Sequence, residues 1–140
     1  MTVQENKALV RRLIEEVWNG HDPEKTGEFV GADLLASEGA EHIQQFLTAF
    51  PDVHITIKDL IGEGDKVVGR LFARATNTGP FAGQPPTGKK IQMRSIRIVR
   101  IADNKIVETW AMQDRLGLME QLGLVQSAGD VNWATGQEDR

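Results

Sequence analysis

The second half of the chain is built from runs whose side chains alternate with a period of two. Val67 to Asn77 sets Val68, Arg70, Phe72, Arg74 and Thr76 against Val67, Gly69, Leu71, Ala73 and Ala75. Such alternation marks strands with two different faces. Lys90 to Ile101 is a second long run, and Ala102-Asp103-Asn104 turns it into a third, Lys105 to Met112. Ahead of them Val53, Ile55 and Ile57 alternate with His54, Thr56 and Lys58, and Gly62-Glu63-Gly64-Asp65 supplies the next turn. Parallel strands need crossovers, so strands joined in this way form a curved antiparallel sheet.

The first half reads as helices. Residues 4 to 19 place Leu9, Leu13 and Val17 at i, i+4, i+8, with charges on the other face and a stop at Asn19-Gly20. Asp22-Pro23 predicts an N-cap and a short helix to about Val30. Gly31 to Ala36 is poorly patterned. Ser37 then introduces a helix from Glu38 to Phe50 with Ile43, Phe46, Leu47 and Phe50 inward, ended by Pro51. Arg115 to Leu124 predicts one more short helix. Helices first and strands later is an α+β order. The expected layout is one domain over 1–125 and a polar, mobile tail over 126–140 containing Trp133.

The 140 residues suffice for one domain with a real core. A net charge of -4 argues against nucleic-acid binding. Without cysteine there is neither a disulfide framework nor a thiolate metal site. No apolar run approaches a membrane span, and the charged N-terminus is unlike a secretory signal, so the expectation is a cytoplasmic protein. His21, His42 and His54 match no metal motif.

Between two strand runs lies Thr78-Gly79-Pro80-Phe81-Ala82-Gly83-Gln84-Pro85-Pro86-Thr87-Gly88, a bent and stiff loop. Together with Glu16-Val17-Trp18-Asn19, Phe50-Pro51-Asp52 and Lys105-Ile106-Val107-Glu108-Thr109-Trp110, it resembles the SnoaL-like polyketide cyclase family over about residues 4 to 125. The resemblance implies N-terminal helices packed on a strongly curved antiparallel sheet, forming a cone with a hydrophobic cavity and placing the Gly/Pro loop at its rim. It also implies intramolecular aldol cyclisation of a polyketide, with no metal and no cofactor, by a carboxylate acting as acid and base. Relatives on the fold hydroxylate, isomerise or open epoxides, so fold alone does not fix the reaction. Superfamily relatives pair their sheets, which implies a homodimer or higher homo-oligomer.

The final strand of that family typically reads Glu-His-Trp-Asp. Here Thr109 stands at the His position and Ala111 at the Asp position. If the family's orientation holds, Val107, Thr109 and Ala111 face the cavity. The neighbouring strand then presents Met93, Ser95, Arg97 and Val99, or the opposite set. Asp114 is the nearby carboxylate in sequence and is read as either general acid/base or helix N-cap. Arg97 is the preferred cavity arginine among Arg70, Arg74, Arg94, Arg97 and Arg100. The candidate catalytic residues are thus Asp114, Arg97 and Thr109. The candidate substrate contacts are Trp18, Phe72, Phe81, Met93, Ser95 and Trp110, with Phe81 able to shut the cavity. The partner is a hydrophobic small molecule, turned over by cyclisation, by epoxide-hydrolase- or hydroxylase-like chemistry, or only bound.

Overall fold

The computed structural model describes residues 1–125, so the expected tail with Trp133 lies outside the described residues. α1 (Val3–Leu13) starts at a capping box. Thr2 Oγ1 accepts from the Glu5 N–H at 3.1 Å, and the Thr2 N–H donates to Glu5 Oε1 at 2.9 Å. Two donors stranded at the helix start are thereby satisfied. The helix continues as one wide turn, Ile14–Trp18, closed by the Asn19 N–H on the Ile14 carbonyl at 2.9 Å. A wide turn inserts one residue into the helical repeat, and Ile14 and Trp18 both come to face inward.

Asn19 then ties this helix to β1 (His54–Glu63). Its amide accepts from the Ile55 N–H at 2.6 Å and donates to the Ile55 carbonyl at 2.9 Å. His21, with φ of 53°, holds Nε2 2.8 Å from the Val53 carbonyl, a structural role for that ring.

Two expected caps are absent. Asp22 makes no side-chain cap for the short 3-10 helix Pro23–Glu28. Ser37 does not open the next helix, because helical structure already begins at α2 (Ala32–Leu34). It passes through a wide turn, Leu35–Gly39, into α3 (Ala40–Ala49). Ser37 Oγ instead donates back to the Leu34 carbonyl at 2.9 Å. Leu34 and Leu35 pack against the core, and this tertiary contact organises a segment without a helical stripe of its own.

The sheet order is β1-β2-β3-β4, antiparallel throughout, with β2 (Lys66–Thr76), β3 (Lys90–Ala102) and β4 (Lys105–Gln113). Asp103 and Asn104 turn the last hairpin with φ of 51° and 64°, the paired left-handed geometry of a two-residue turn. In β4 the register moves from Arg100↔Glu108 to Ile101↔Ile106, which leaves Val107 as the extra residue of a bulge. Ile106 is therefore buried, and the expectation that Val107 shares a face with Thr109 and Ala111 is corrected. Val107 instead packs beside Gly31 at the short parallel contact between Val30 and Ile106.

The core lies between α1, α3 and the inner face of the sheet. Val17, Phe50 and Val53 are fully buried at its centre, and each such side chain contributes about 1.5–3 kcal/mol of transfer free energy. α4 (Arg115–Leu122) sets Leu118 and Leu122 into the same core. Among the described residues no helix is long and apolar enough to cross a membrane.

The Gly/Pro loop is fastened by the buried Asn77. Its amide nitrogen donates to the Ala49 carbonyl at 3.3 Å and the Gly79 carbonyl at 2.8 Å. Its Oδ1 accepts from both Thr87 N–H at 2.8 Å and Thr87 Oγ1 at 2.9 Å. Gly79 presses on the end of α3, where a Cβ would meet the Thr48 carbonyl oxygen at 2.0 Å. The loop is thus bound to the helix layer and contributes no wall to the cavity, which corrects its expected place at the rim.

Candidate functional site

The helices and the inner sheet face enclose a cavity of about 700 Å³. Leu13, Ile14 and Trp18 from the first helix, Ile43 and Phe46 from α3, and Leu71 and Met93 from the sheet make its apolar wall. His42, Asp114, Arg115 and Leu116 line it while remaining exposed, and so mark its mouth. Most of its surface is apolar, as small-molecule sites commonly are.

Arg97 is the single charged side chain on the cavity-lining face of β2, β3 and β4. Its register partners are Gly69 on β2 and Ala111 on β4, and both leave room for the guanidinium. The diagonal neighbour Thr109 supplies a fixed contact: Arg97 Nη1 donates to Thr109 Oγ1 at 2.8 Å. Burial lowers the guanidinium pKa, yet arginine starts so high that it keeps its charge near neutral pH. Arg97 enters no ion pair among the described residues.

The other strand arginines point elsewhere. Arg70 pairs with Asp59 at 2.6 Å, and Arg100 donates to Glu108. Arg74 sits 5.2 Å from the Phe72 ring centroid on the outer face.

Asp114 combines two of the predicted features. It caps α4, with Oδ1 accepting from the Gly117 N–H at 3.0 Å, and it lines the cavity. Oδ2 has no hydrogen-bond partner among the described residues. The backbone positions it as well, because the Asp114 N–H donates to the Arg94 carbonyl at 3.1 Å as β4 ends.

The cavity brings together six of the nine predicted site residues: Trp18, Met93, Ser95, Arg97, Thr109 and Asp114. It excludes three. Phe72 lies on the outer sheet face, covered by Lys58 at 5.6 Å and by Arg74. Trp110 also points outward and is 46% exposed. Phe81 packs behind the cavity wall, 5.3 Å from the Phe50 ring, at the far end of the row Trp18–Phe46–Phe50–Phe81. It is therefore not a lid. Alternation already carried the signal for Phe72 and Trp110, which share parity with outward residues. Sequence reading missed His42 as a mouth residue, and no signal in its helix distinguished it. Among the described residues no His, Asp and Glu side chains cluster as a metal site would require.

An open curved sheet wrapped on helices around an apolar pocket, with Arg97 inward and Asp114 beside Arg115 at the mouth, defines a cone-fold protein equipped for small-molecule chemistry. The chain belongs to the SnoaL-like polyketide cyclase family, whose model matches residues 8–122. It is 26% identical to aklanonic acid methyl ester cyclase DnrD of Streptomyces peucetius, over 82% of this chain and 88% of that one. With DauD of Streptomyces sp. strain C5, which carries the same activity name, it shares 27% identity over 82% of this chain and 80% of the relative. Among solved structures, AclR of Streptomyces galilaeus, a candidate hydroxylase, superposes with a TM-score of 0.81 at 26% identity, covering 89% of this chain and 99% of that one. IdmH of Streptomyces antibioticus, a candidate polyketide cyclase, superposes with a TM-score of 0.68 at 29% identity over 84% and 98%. Relatives of similar identity thus carry different reaction names, and residues rather than fold must argue the chemistry.

Proposed function

We propose that this protein is a cofactor-independent acid/base enzyme that closes a ring in a polyketide-like hydrophobic molecule by an intramolecular aldol reaction. The observation that carries this reading is the placement of Asp114 and Arg97 on one apolar cavity of a cyclase-family chain. The Asp114 carboxylate takes a proton from a carbon next to a carbonyl, leaving an enolate. The enolate carbon bonds to a second carbonyl carbon of the same molecule, and the resulting alkoxide takes the proton back from Asp114. Arg97, steadied by Thr109, orients a substrate oxygen, and an apolar surround strengthens that interaction. Trp18, Met93 and Ser95 contact the substrate. A hydroxylase- or epoxide-opening step at the same residues is the neighbouring alternative.

Asp114→Asn tests this reading, since asparagine caps a helix as well as aspartate and keeps the fold. Loss of ring closure, with unchanged thermal unfolding, is the expected result. Full activity would remove Asp114 from the chemistry. A second reading, ligand binding without turnover, is favoured by Thr109 and Ala111, which stand where the family sets His and Asp. Recovery of a bound polyketide chemically unchanged after long incubation would support it over catalysis.

We also propose that copies of the chain pair through the outer sheet face. Ile98 and Trp110 lie opposite each other there, next to Ile96, and Ile96 and Trp110 are exposed.

A further inference from the structure

We propose that the substrate carries a free carboxylate, held by Arg97 in the ground state, so that this chain selects an acid over the corresponding ester. The inference rests on the cavity being the substrate site, and it names the chemical class that site accepts.

A half-buried guanidinium needs a reason to stand on an apolar wall. Taking a charge out of water is costly unless a partner compensates for it. The sheet supplies one neutral acceptor, Thr109 Oγ1 at 2.8 Å, and no carboxylate among the described residues pairs with Arg97. The remaining N–H groups make no hydrogen bonds within the described protein. Gly69 and Ala111, the cross-strand neighbours, offer neither a polar atom nor bulk that would block a planar ligand group. Every other strand arginine with a described partner lies outside the cavity. A guanidinium presents paired donors that match the two oxygens of a carboxylate. The Thr109 bond fixes the fork, leaving less rotamer freedom to lose on binding.

Position separates this role from proton transfer. Ala111, the register partner of Arg97, lies three residues from Asp114, or about 10 Å along an extended strand. A polycyclic acid can therefore anchor its carboxylate at Arg97 and present a different carbon to the mouth.

The test uses the full chain and two probes, anthraquinone-2-carboxylate and its methyl ester, with binding followed by calorimetry. The acid is expected to bind the wild type about tenfold or more tightly than the ester, as one charge-assisted pair implies. Arg97→Met should remove that preference by weakening acid binding far more than ester binding, and an unchanged unfolding midpoint reports an intact fold. Arg97→Lys should restore part of it, since the charge returns without the fork. Equal affinity for acid and ester in the wild type, or no binding of either, would overturn the proposal. So would an acid preference that survives Arg97→Met. Asp114→Asn separates this claim from the catalytic one: it should keep the acid preference whether or not turnover is lost.

Discussion

Asp114 and Gly117 act as one unit. Oδ1 of the aspartate accepts from the glycine N–H at 3.0 Å, and a Cβ on Gly117 would lie 2.3 Å from Oδ2. The same carboxylate is the proposed base, so the cap fixes where the proton is taken. Gly117→Ala should push the side chain aside. The cap loss of about 1 kcal/mol is partly offset by alanine's better helix propensity. Turnover should fall by about tenfold or more, through kcat rather than KM, while the melting temperature moves little. Unchanged kcat would show that the carboxylate has no fixed catalytic position.

Thr109 holds Arg97 through its hydroxyl, and nothing else among the described residues replaces that acceptor. Thr109→Val keeps the shape and removes the oxygen. Substrate affinity should weaken by about three- to tenfold, with little change in unfolding midpoint, because the freed N–H faces the cavity rather than dry core. Thr109→Ser should retain affinity. Equal affinities for the two variants would separate Thr109 from substrate orientation.

Gly79 has no space for a side chain against Thr48. Gly79→Ala must displace backbone at the end of α3 and break the contacts of Asn77 to Ala49 and Gly79. A loss of about 2–4 kcal/mol in urea unfolding is expected, the range for backbone strain plus a broken buried network. A loss below half a kcal/mol, as at ordinary surface sites, would show that the loop is not bound to the helix layer.

Asp52 gives a pH dependence. Desolvation pushes its carboxyl up, but hydrogen bonds from the Thr76 N–H (2.7 Å to Oδ1), the Thr76 side chain and its own backbone, with the nearby His21, together outweigh this, and the net pKa lies below the ordinary value. A carboxyl lowered by folding contributes stability that is present above its unfolded pKa. That stability is lost as pH falls through the folded value. Asp52→Asn should therefore be less stable than wild type at neutral pH, by up to about 1 kcal/mol at so exposed a site. The difference should shrink once pH drops below the ordinary carboxylate range. A gap that persists in acid would assign it to something other than charge.

The outer face predicts assembly. Trp110→Lys places a charge beside Ile98 and Ile96, and none of these three residues lines the cavity. Light scattering should show a wild-type dimer or larger species and a monomeric variant that still folds. A monomeric wild type would remove the proposed sheet pairing.

Much of the scaffold was legible because strands write a period of two and α1 writes a clear apolar stripe. Asp103-Asn104 also announced its turn. Ala32–Gly39 was not legible, since packing of Leu34 and Leu35, rather than local pattern, makes that segment helical. The cavity residues of β3 followed from parity once one face was chosen. The aromatic candidates failed where chemistry was preferred to parity, as with Phe72 and Trp110. Phe81 failed for another reason: a loop's direction depends on where it is tied, and Asn77 ties this one to Ala49.

The extra residue Val107 divides β4 into two reading frames. Before it, even positions such as Ile106 point inward; after it, odd positions such as Thr109 and Ala111 do. The two ends of the cavity wall are thus encoded on opposite phases of one strand. Substitutions that recolour the mouth need not disturb the deep end. Deleting Val107 would instead restore one unbroken alternation, with Ile106 and Thr109 still inward and Glu108 and Trp110 still outward, and would remove only the bend and the Val107 contact beside Gly31.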